Sequence, residues 1–197
     1  MVGTIEPRKG HAQALAAFER LWTAGVQANL IIVGREGWGL EQLTKRLRTH
    51  PERGKRLLWL EGASDEMLLR FYESAVALLA ASEGEGFGLP LVEAAKHGLP
   101  IIARDLPVFR EVAGEHAFYF SGMSPEDLGA AISSWLALRE RGEAPSSEGM
   151  PWLTWAQSTS QLLDVIHNGN WYARWPENPG ADGGGAGACY PSAEPTT

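Results

Sequence analysis

Apolar residues come in two spacings that alternate along this chain. Short unbroken runs have the length and polar boundaries of buried parallel strands: Leu30-Ile31-Ile32-Val33, Leu57-Leu58-Trp59-Leu60, Val76-Ala77-Leu78-Leu79-Ala80-Ala81 and Pro100-Ile101-Ile102-Ala103. Between them, apolar residues recur every three or four positions. Residues 11–24 place Leu15, Phe18, Leu21 and Trp22 on one helical face, and Leu40, Leu43 and Leu47 mark a helix that stops near His50-Pro51. Ser64 is a predicted N-cap, followed by Met67, Leu68 and Phe71. A short helix over 107–112 and a strand over 116–120 come next. The helix after Ser124 has Pro125 at N1 and acids in its first turn, then Leu128, Ile132 and Leu136. Thr154 caps a last helix with Leu162, Leu163 and Ile166 as its stripe. Met1-Val2-Gly3-Thr4 reads as the end of a strand whose beginning is missing, against a usual strand of about five or six residues.

Strands alternating with helices predict an α/β fold, a Rossmann-like doubly wound parallel sheet over residues 1–168. After His167 the periodicity stops, and residues 169–197 are expected to form a disordered tail. Ligands of such sheets sit beyond the carboxyl ends of the strands. The loops at 3–10, 34–38, 61–64 and 83–89 all follow strands, so all are expected on that one edge.

Composition narrows the partners. The 197 residues suffice for one domain with a real core. A net charge of −7 provides no global basic field for nucleic acid or anionic membrane, so any anion site is local. The single cysteine, Cys189, permits no internal disulfide and fits a reducing compartment. No apolar run approaches the roughly 20 residues of a membrane span, and no signal-peptide pattern is visible. A cytoplasmic protein is expected, with a peripheral seat at the inner face of the membrane as a variant of that expectation.

The candidate chemistry centres on Ser82-Glu83-Gly84-Glu85-Gly86-Phe87-Gly88-Leu89-Pro90. A strand feeds a loop with three glycines, and Pro90 is read at N1 of a helix that Gly98 and Pro100 close. Free N–H groups and the helix dipole at such a place can hold an anion. Glu85 and Glu93 flank it as a candidate acid/base pair; taken alone, Glu93, read in the first helical turn, is explained as dipole complementation worth roughly 0.3–1 kcal/mol, and its spacing from Glu85 is what points to function. Arg8 and Lys9, in the loop after the first strand, suit a diphosphate or a solvated turn. Neither GxxxxGK(S/T) nor a GxGxxG opening the first helix is present. His11, His50, His97, His116 and His167 do not cluster, and no Asp-x-Asp pair occurs, so no metal site is expected.

These residues resemble a known family. Val2-Gly3-Thr4-Ile5-Glu6-Pro7-Arg8-Lys9-Gly10-His11 looks like the phosphate-binding opening of the C-terminal domain of family 4 retaining glycosyltransferases. Glu85-Gly86-Phe87-Gly88-Leu89-Pro90-Leu91-Val92-Glu93 looks like their pair of glutamates eight positions apart, and Asp105-Leu106-Pro107-Val108-Phe109-Arg110-Glu111-Val112 resembles the segment that follows. The resemblance covers residues 1–168 and implies one half of a GT-B fold, two Rossmann-like domains facing across a cleft. It implies that Lys9 contacts the donor diphosphate with Arg8 assisting, near Gly3 and Thr4. Glu85 is implied to hold the sugar hydroxyls at the reacting carbon, the backbone of Gly86, Phe87, Gly88 and Leu89 to line sugar and diphosphate, and Glu93 to bind the ribose. The loop containing Glu61 is implied to neighbour the base. Thr4 is a departure, since many members carry arginine there, a charge that Arg8 would supply.

The activity so implied is retaining, metal-independent and cofactor-free transfer of a hexose from a nucleotide-diphosphate sugar to a glycan or lipid-linked acceptor in bacterial polysaccharide assembly. GDP-mannose is the first expectation for the donor. An N-terminal domain of similar size is expected as the missing partner, the chain being read as a fragment or a mis-started frame with little activity alone. The alternatives are a non-catalytic nucleotide-sugar-binding subunit, a GT-B sugar-nucleotide epimerase or a phosphorylase.

Overall fold

The computed structural model describes residues 1–169 and Trp171; the expected tail otherwise lies outside the described residues. The chain divides into two compact units, Met1–Trp152 and Leu153–Thr197.

In the first unit a 3-10 turn at Pro7–Lys9 leads into α1 (His11–Thr23), and then strands and helices alternate. They are β1 (Leu30–Val33), α2 (Glu41–Thr49), β2 (Leu57–Leu60), α3 (Asp65–Ser74), β3 (Leu78–Ala80), α4 (Leu89–Lys96), β4 (Ile101–Arg104), α5 (Pro107–Ala113), β5 (Phe118–Phe120) and α6 (Pro125–Glu140). β1 pairs with β2, and β3, β4 and β5 follow in order; every pairing is parallel. The α/β doubly wound architecture is therefore present, with helical crossovers as parallel pairing requires.

The predicted first strand exists only as two parallel bridges, Val2 to Val33 and Ile5 to Glu36. Val33 N–H donates to Met1 O at 2.9 Å and Gly3 N–H to Val33 O at 2.9 Å, which lays this segment along the free edge of β1. The result is a two-stranded and a three-stranded sheet instead of one continuous ladder. Their seam is held where Glu83 N–H donates to Arg8 O at 2.7 Å. Gly10 also lies there, at φ +70°, and a Cβ on it would stand 2.2 Å from Ala81 O. Only glycine permits that approach.

Successive strand residues face opposite sides, and the core divides accordingly. Leu79, Ile102 and Phe120 pack with Leu15, Phe18 and Leu21 of α1 and Leu128, Ile132 and Trp135 of α6. Leu78, Ile101 and Ala103 pack with Leu91 and Ala94 of α4 and Phe109 of α5. Two caps predicted in this unit are formed: Ser64 Oγ accepts from Met67 N–H at 3.3 Å, and Ser124 and Asp127 make a reciprocal capping box.

Two boundaries differ from the pattern. His116 lies in a 3-10 turn, Gly114–His116, and β5 starts at Phe118. The Tyr119 hydroxyl pins that turn by donating to Gly114 O at 2.9 Å. Pro90 is the second residue of α4, because Gly88 at φ +96° is the N-cap and Leu89 opens the helix. Glu93 consequently lies beyond the first turn, which contains no acid, so dipole complementation does not account for it.

In the second unit, α7 (Trp155–Asn168) starts from the predicted Thr154 cap. Gln157 N–H donates to Thr154 Oγ1 at 3.2 Å and Thr154 N–H to Gln157 Oε1 at 2.9 Å.

Candidate functional site

The carboxyl ends of the Met1-to-Ile5 segment and of β3 meet at the seam, and the loops that leave them carry the charges. Pro7 suits the start of the tight turn Pro7–Lys9, which presents Arg8 and Lys9 side by side. Lys9 Nζ lies 2.6 Å from Glu85 Oε1, and Arg8 Nη1 lies 2.8 Å from Glu85 Oε2. Arg8 also donates to Gly84 O at 2.9 Å and pairs with Glu6 at 2.8 Å. Ser82 Oγ completes the shell of Glu85 by donating at 2.8 Å. Burial pushes the Glu85 carboxyl up, but the bonds from Lys9, Ser82 and Arg8 outweigh it and hold the pKa below the usual carboxylate value.

Gly3 belongs to the same cluster: a Cβ there would stand 3.6 Å from Lys9 Nζ. Thr4 is exposed and faces the next loop, where its Cγ2 would be 2.8 Å from a Cβ on Gly37. Gly88 turns the chain into α4, and a Cβ on it would meet Phe109 Cε1 at 2.8 Å. Gly84 and Gly86 have open space where a Cβ would be. Phe87 and Leu89 are about half exposed, at 54% and 50%. Among the described residues, the N–H groups of Gly86, Phe87 and Gly88 donate to no acceptor, which leaves three donors at the mouth of α4.

The other two predicted acids have separate partners. Glu93 Oε2 accepts from the Tyr72 hydroxyl at 2.6 Å, and the Tyr72 ring stacks on His97 with centroids 5.7 Å apart. Glu61 is exposed and bonds Arg48 at 3.1 Å. Arg48 also reaches Glu36 at 2.6 Å and lies over the Trp59 ring. The structure thus brings together Gly3, Arg8, Lys9 and Glu85, and sets Glu93 and Glu61 in clusters of their own.

Three buried polar residues were given no site role by the sequence: His11, weighed there only for a metal and within the opening motif, and Gln13 and Arg104, which drew no attention. His11, 2% exposed, lines a cavity of about 20 Å³ with Lys9, Ser82 and Glu85, room for about one water. Its Nδ1 has no partner among the described residues, and burial, then the charges of the Met1 amine and Lys9, lower its pKa to about 4. Gln13 donates to Ser124 O at 2.8 Å. Arg104 ends β4 as a buried guanidinium. Its one signal in the sequence is a charge directly after an apolar run. Among the described residues, no group of three or more His, Cys, Asp or Glu side chains stands together as a metal cluster. No described helix is long and apolar enough to cross a membrane.

The comparisons with known proteins bear on this geometry. The family Glycosyl transferases group 1 matches residues 1–150. The chain is 56% identical over 163 residues to the serotype-specific mannosyltransferase WbdA of Escherichia coli, covering 83% of this chain and 20% of that protein. It therefore spans about a fifth of that relative's length. A phosphatidyl-myo-inositol mannosyltransferase of Mycobacterium leprae is 32% identical over 166 residues, covering 81% of this chain and 43% of the other. Among solved structures, sucrose-phosphate synthase from Thermosynechococcus elongatus superposes with a TM-score of 0.65 at 21% identity, covering 85% of this chain and 45% of that one. The C-terminal domain of a glycosyl transferase group 1 family protein, LpcC, from Francisella tularensis gives 0.63 at 16% identity, covering 82% and 84%.

Proposed function

The chain belongs to the group 1 glycosyl transferases, and we propose that residues 1–168 form the donor-binding half of a bacterial mannosyltransferase that takes its hexose from a nucleotide-diphosphate sugar, GDP-mannose first. The observation that carries this reading is the meeting of Lys9, Arg8 and Glu85 at the seam, beside the free N–H groups at the start of α4.

The chemistry follows from the charges. Breaking the anomeric C–O bond sends its electron pair to the diphosphate and leaves positive charge on the sugar carbon. Lys9, Arg8 and the Gly86-to-Leu89 backbone stabilise the developing anion without requiring a metal. Glu85 accepts hydrogen bonds from sugar hydroxyls and lies close to the developing cation. The acceptor oxygen bonds to the anomeric carbon on the face the diphosphate leaves, and its proton passes to a diphosphate oxygen, so configuration is retained. Glu93 takes ribose hydroxyls, with Tyr72 holding one of its oxygens, and the loop at Glu61 borders the base. The acceptor, a glycan or lipid-linked sugar, is bound by a facing domain of similar size.

Titration calorimetry of this chain with GDP, UDP and ADP and with their sugar conjugates tests the proposal. The expected result is binding of one nucleotide, tightened by its sugar. Absence of binding to every nucleotide at millimolar concentration overturns it. A nucleotide-sugar-binding subunit without catalytic duty is the second reading. Strong sugar transfer once the facing domain is supplied rules it out.

A further inference from the structure

We infer that Arg104 is a positioning residue of this site: its buried guanidinium fixes the junction of β3 with the glycine loop so that Ser82 and Glu85 meet Lys9. The inference rests on the reading above, in which Glu85 takes the sugar hydroxyls.

Arg104 ends β4 on the face that Ile102 presents to α1 and α6, and it is 5% exposed. Its Nε donates to Ser82 O at 3.0 Å and Ala81 O at 3.3 Å, and its Nη2 reaches Ala81 O at 3.1 Å. Nη2 also bonds Gln13 Oε1, and Nη1 bonds Gly122 O. Gln13 in turn holds Gly122 O at 3.3 Å and Ser124 O at 2.8 Å. The Phe120 ring lies 5.0 Å from the guanidinium carbon. One side chain therefore ties the end of β3, the first turn of α1 and the loop before α6 to β4.

Among the described residues, all its hydrogen-bond acceptors are neutral; Glu83 and Asp127 act on it only through space. Stability alone does not call for such a group, since well-packed apolar side chains often replace buried charges without loss. The guanidinium supplies geometry. Its planar fork engages two consecutive carbonyls, Ala81 and Ser82, which a lysine ammonium cannot match. With its backbone fixed, Ser82 sends its hydroxyl to Glu85 at 2.8 Å, and Glu85 is held where Lys9 reaches it. The guanidinium also places a fixed positive charge beneath the loop.

The readout is the sugar increment: the ratio of Kd for the bare nucleotide to Kd for its sugar conjugate, by calorimetry with GDP and GDP-mannose and with UDP and UDP-glucose. Arg104→Lys keeps the charge and loses the fork. The expected result is an increment reduced about tenfold, the size of a charge-assisted hydrogen bond, with bare-nucleotide affinity changed less than about twofold. A merely structural role lowers Tm and leaves the increment alone. Gln13→Ala, which removes one support of the guanidinium, reduces the increment in the same direction and serves if Arg104→Lys does not fold. Unchanged increments in the folded variants overturn the inference and leave the donor-site reading standing. A wild-type chain that binds neither conjugate overturns that reading and the inference with it.

Discussion

Lys9 Nζ stands 2.6 Å from Glu85 Oε1, so the cation suited to a diphosphate and the carboxylate suited to a sugar are each other's partner. Arg8 pairs with Glu85 and with Glu6, and the loop pair is electrically balanced. On the proposed donor-binding reading, a diphosphate would compete with Glu85 for Lys9, and the carboxylate it freed would be available to hydroxyl donors. The exchange replaces one anion with another beside the same ammonium.

Glu85→Gln separates the two halves of that exchange. Removing the competing charge is expected to tighten bare GDP or UDP about threefold and to reduce the sugar increment about tenfold. Lys9→Met weakens bare nucleotide and conjugate alike, by about tenfold or more. Calorimetry measures both; an intact increment in Glu85→Gln removes the sugar role from that residue.

The three loop glycines are not equivalent. Gly88→Ala forces a Cβ to 2.8 Å from Phe109 at a φ of +96° and is expected to cost roughly 1–3 kcal/mol of stability. Gly84→Ala and Gly86→Ala meet open space, so stability stays within about 0.5 kcal/mol while donor affinity falls. Urea unfolding beside calorimetry distinguishes them. Equal destabilisation by all three substitutions contradicts the expectation.

His11 makes stability pH-dependent on the acid side. Its pKa is lowered from 6.5 to about 4, so between those values the unfolded chain holds a proton that the folded chain does not. The contribution is fully present above 6.5 and is lost as pH falls toward about 4, by up to about 3 kcal/mol. His11→Gln cannot titrate and is expected to flatten that part of the curve. Denaturant midpoints that fall in parallel for both proteins over this window show that the imidazole is not the source.

Tyr72→Phe deletes one hydroxyl. Burial, then Glu93, push the phenol pKa far up, so it is a proton donor to Glu93 at any working pH. The expected effect is a loss of about 1 kcal/mol in stability and about threefold in bare-nucleotide affinity, with the sugar increment unchanged. A lowered increment would instead tie Tyr72 to the sugar.

The apolar pattern carried the strands and helices of the first unit because their burial repeats locally. Leu30–Val33 and Leu57–Leu60 pair as the runs predict, and Ser64, Ser124 and Thr154 cap as their positions predict. The meeting of Arg8 and Lys9 with Glu85 was legible through the family resemblance and through the rule that parallel strands open their loops on one edge. Arg104 was not legible. A charge after Ile101-Ile102-Ala103 reads as the end of burial, and what keeps it buried, Gln13 and Gly122, is distant in sequence. The register error at Pro90 came from Gly88, whose left-handed backbone moves the cap one residue earlier. The link between Tyr72 and Glu93 joins two helices whose phase no single stripe records.

The seam also sets an order of events. Arg8 and Glu85 are 77 positions apart, whereas each sheet half closes over far shorter loops. Closure entropy grows with loop length, so contacts across the seam are expected to form after the halves that flank it. In refolding, nucleotide capture is expected to accompany the slowest phase, behind the recovery of far-ultraviolet signal.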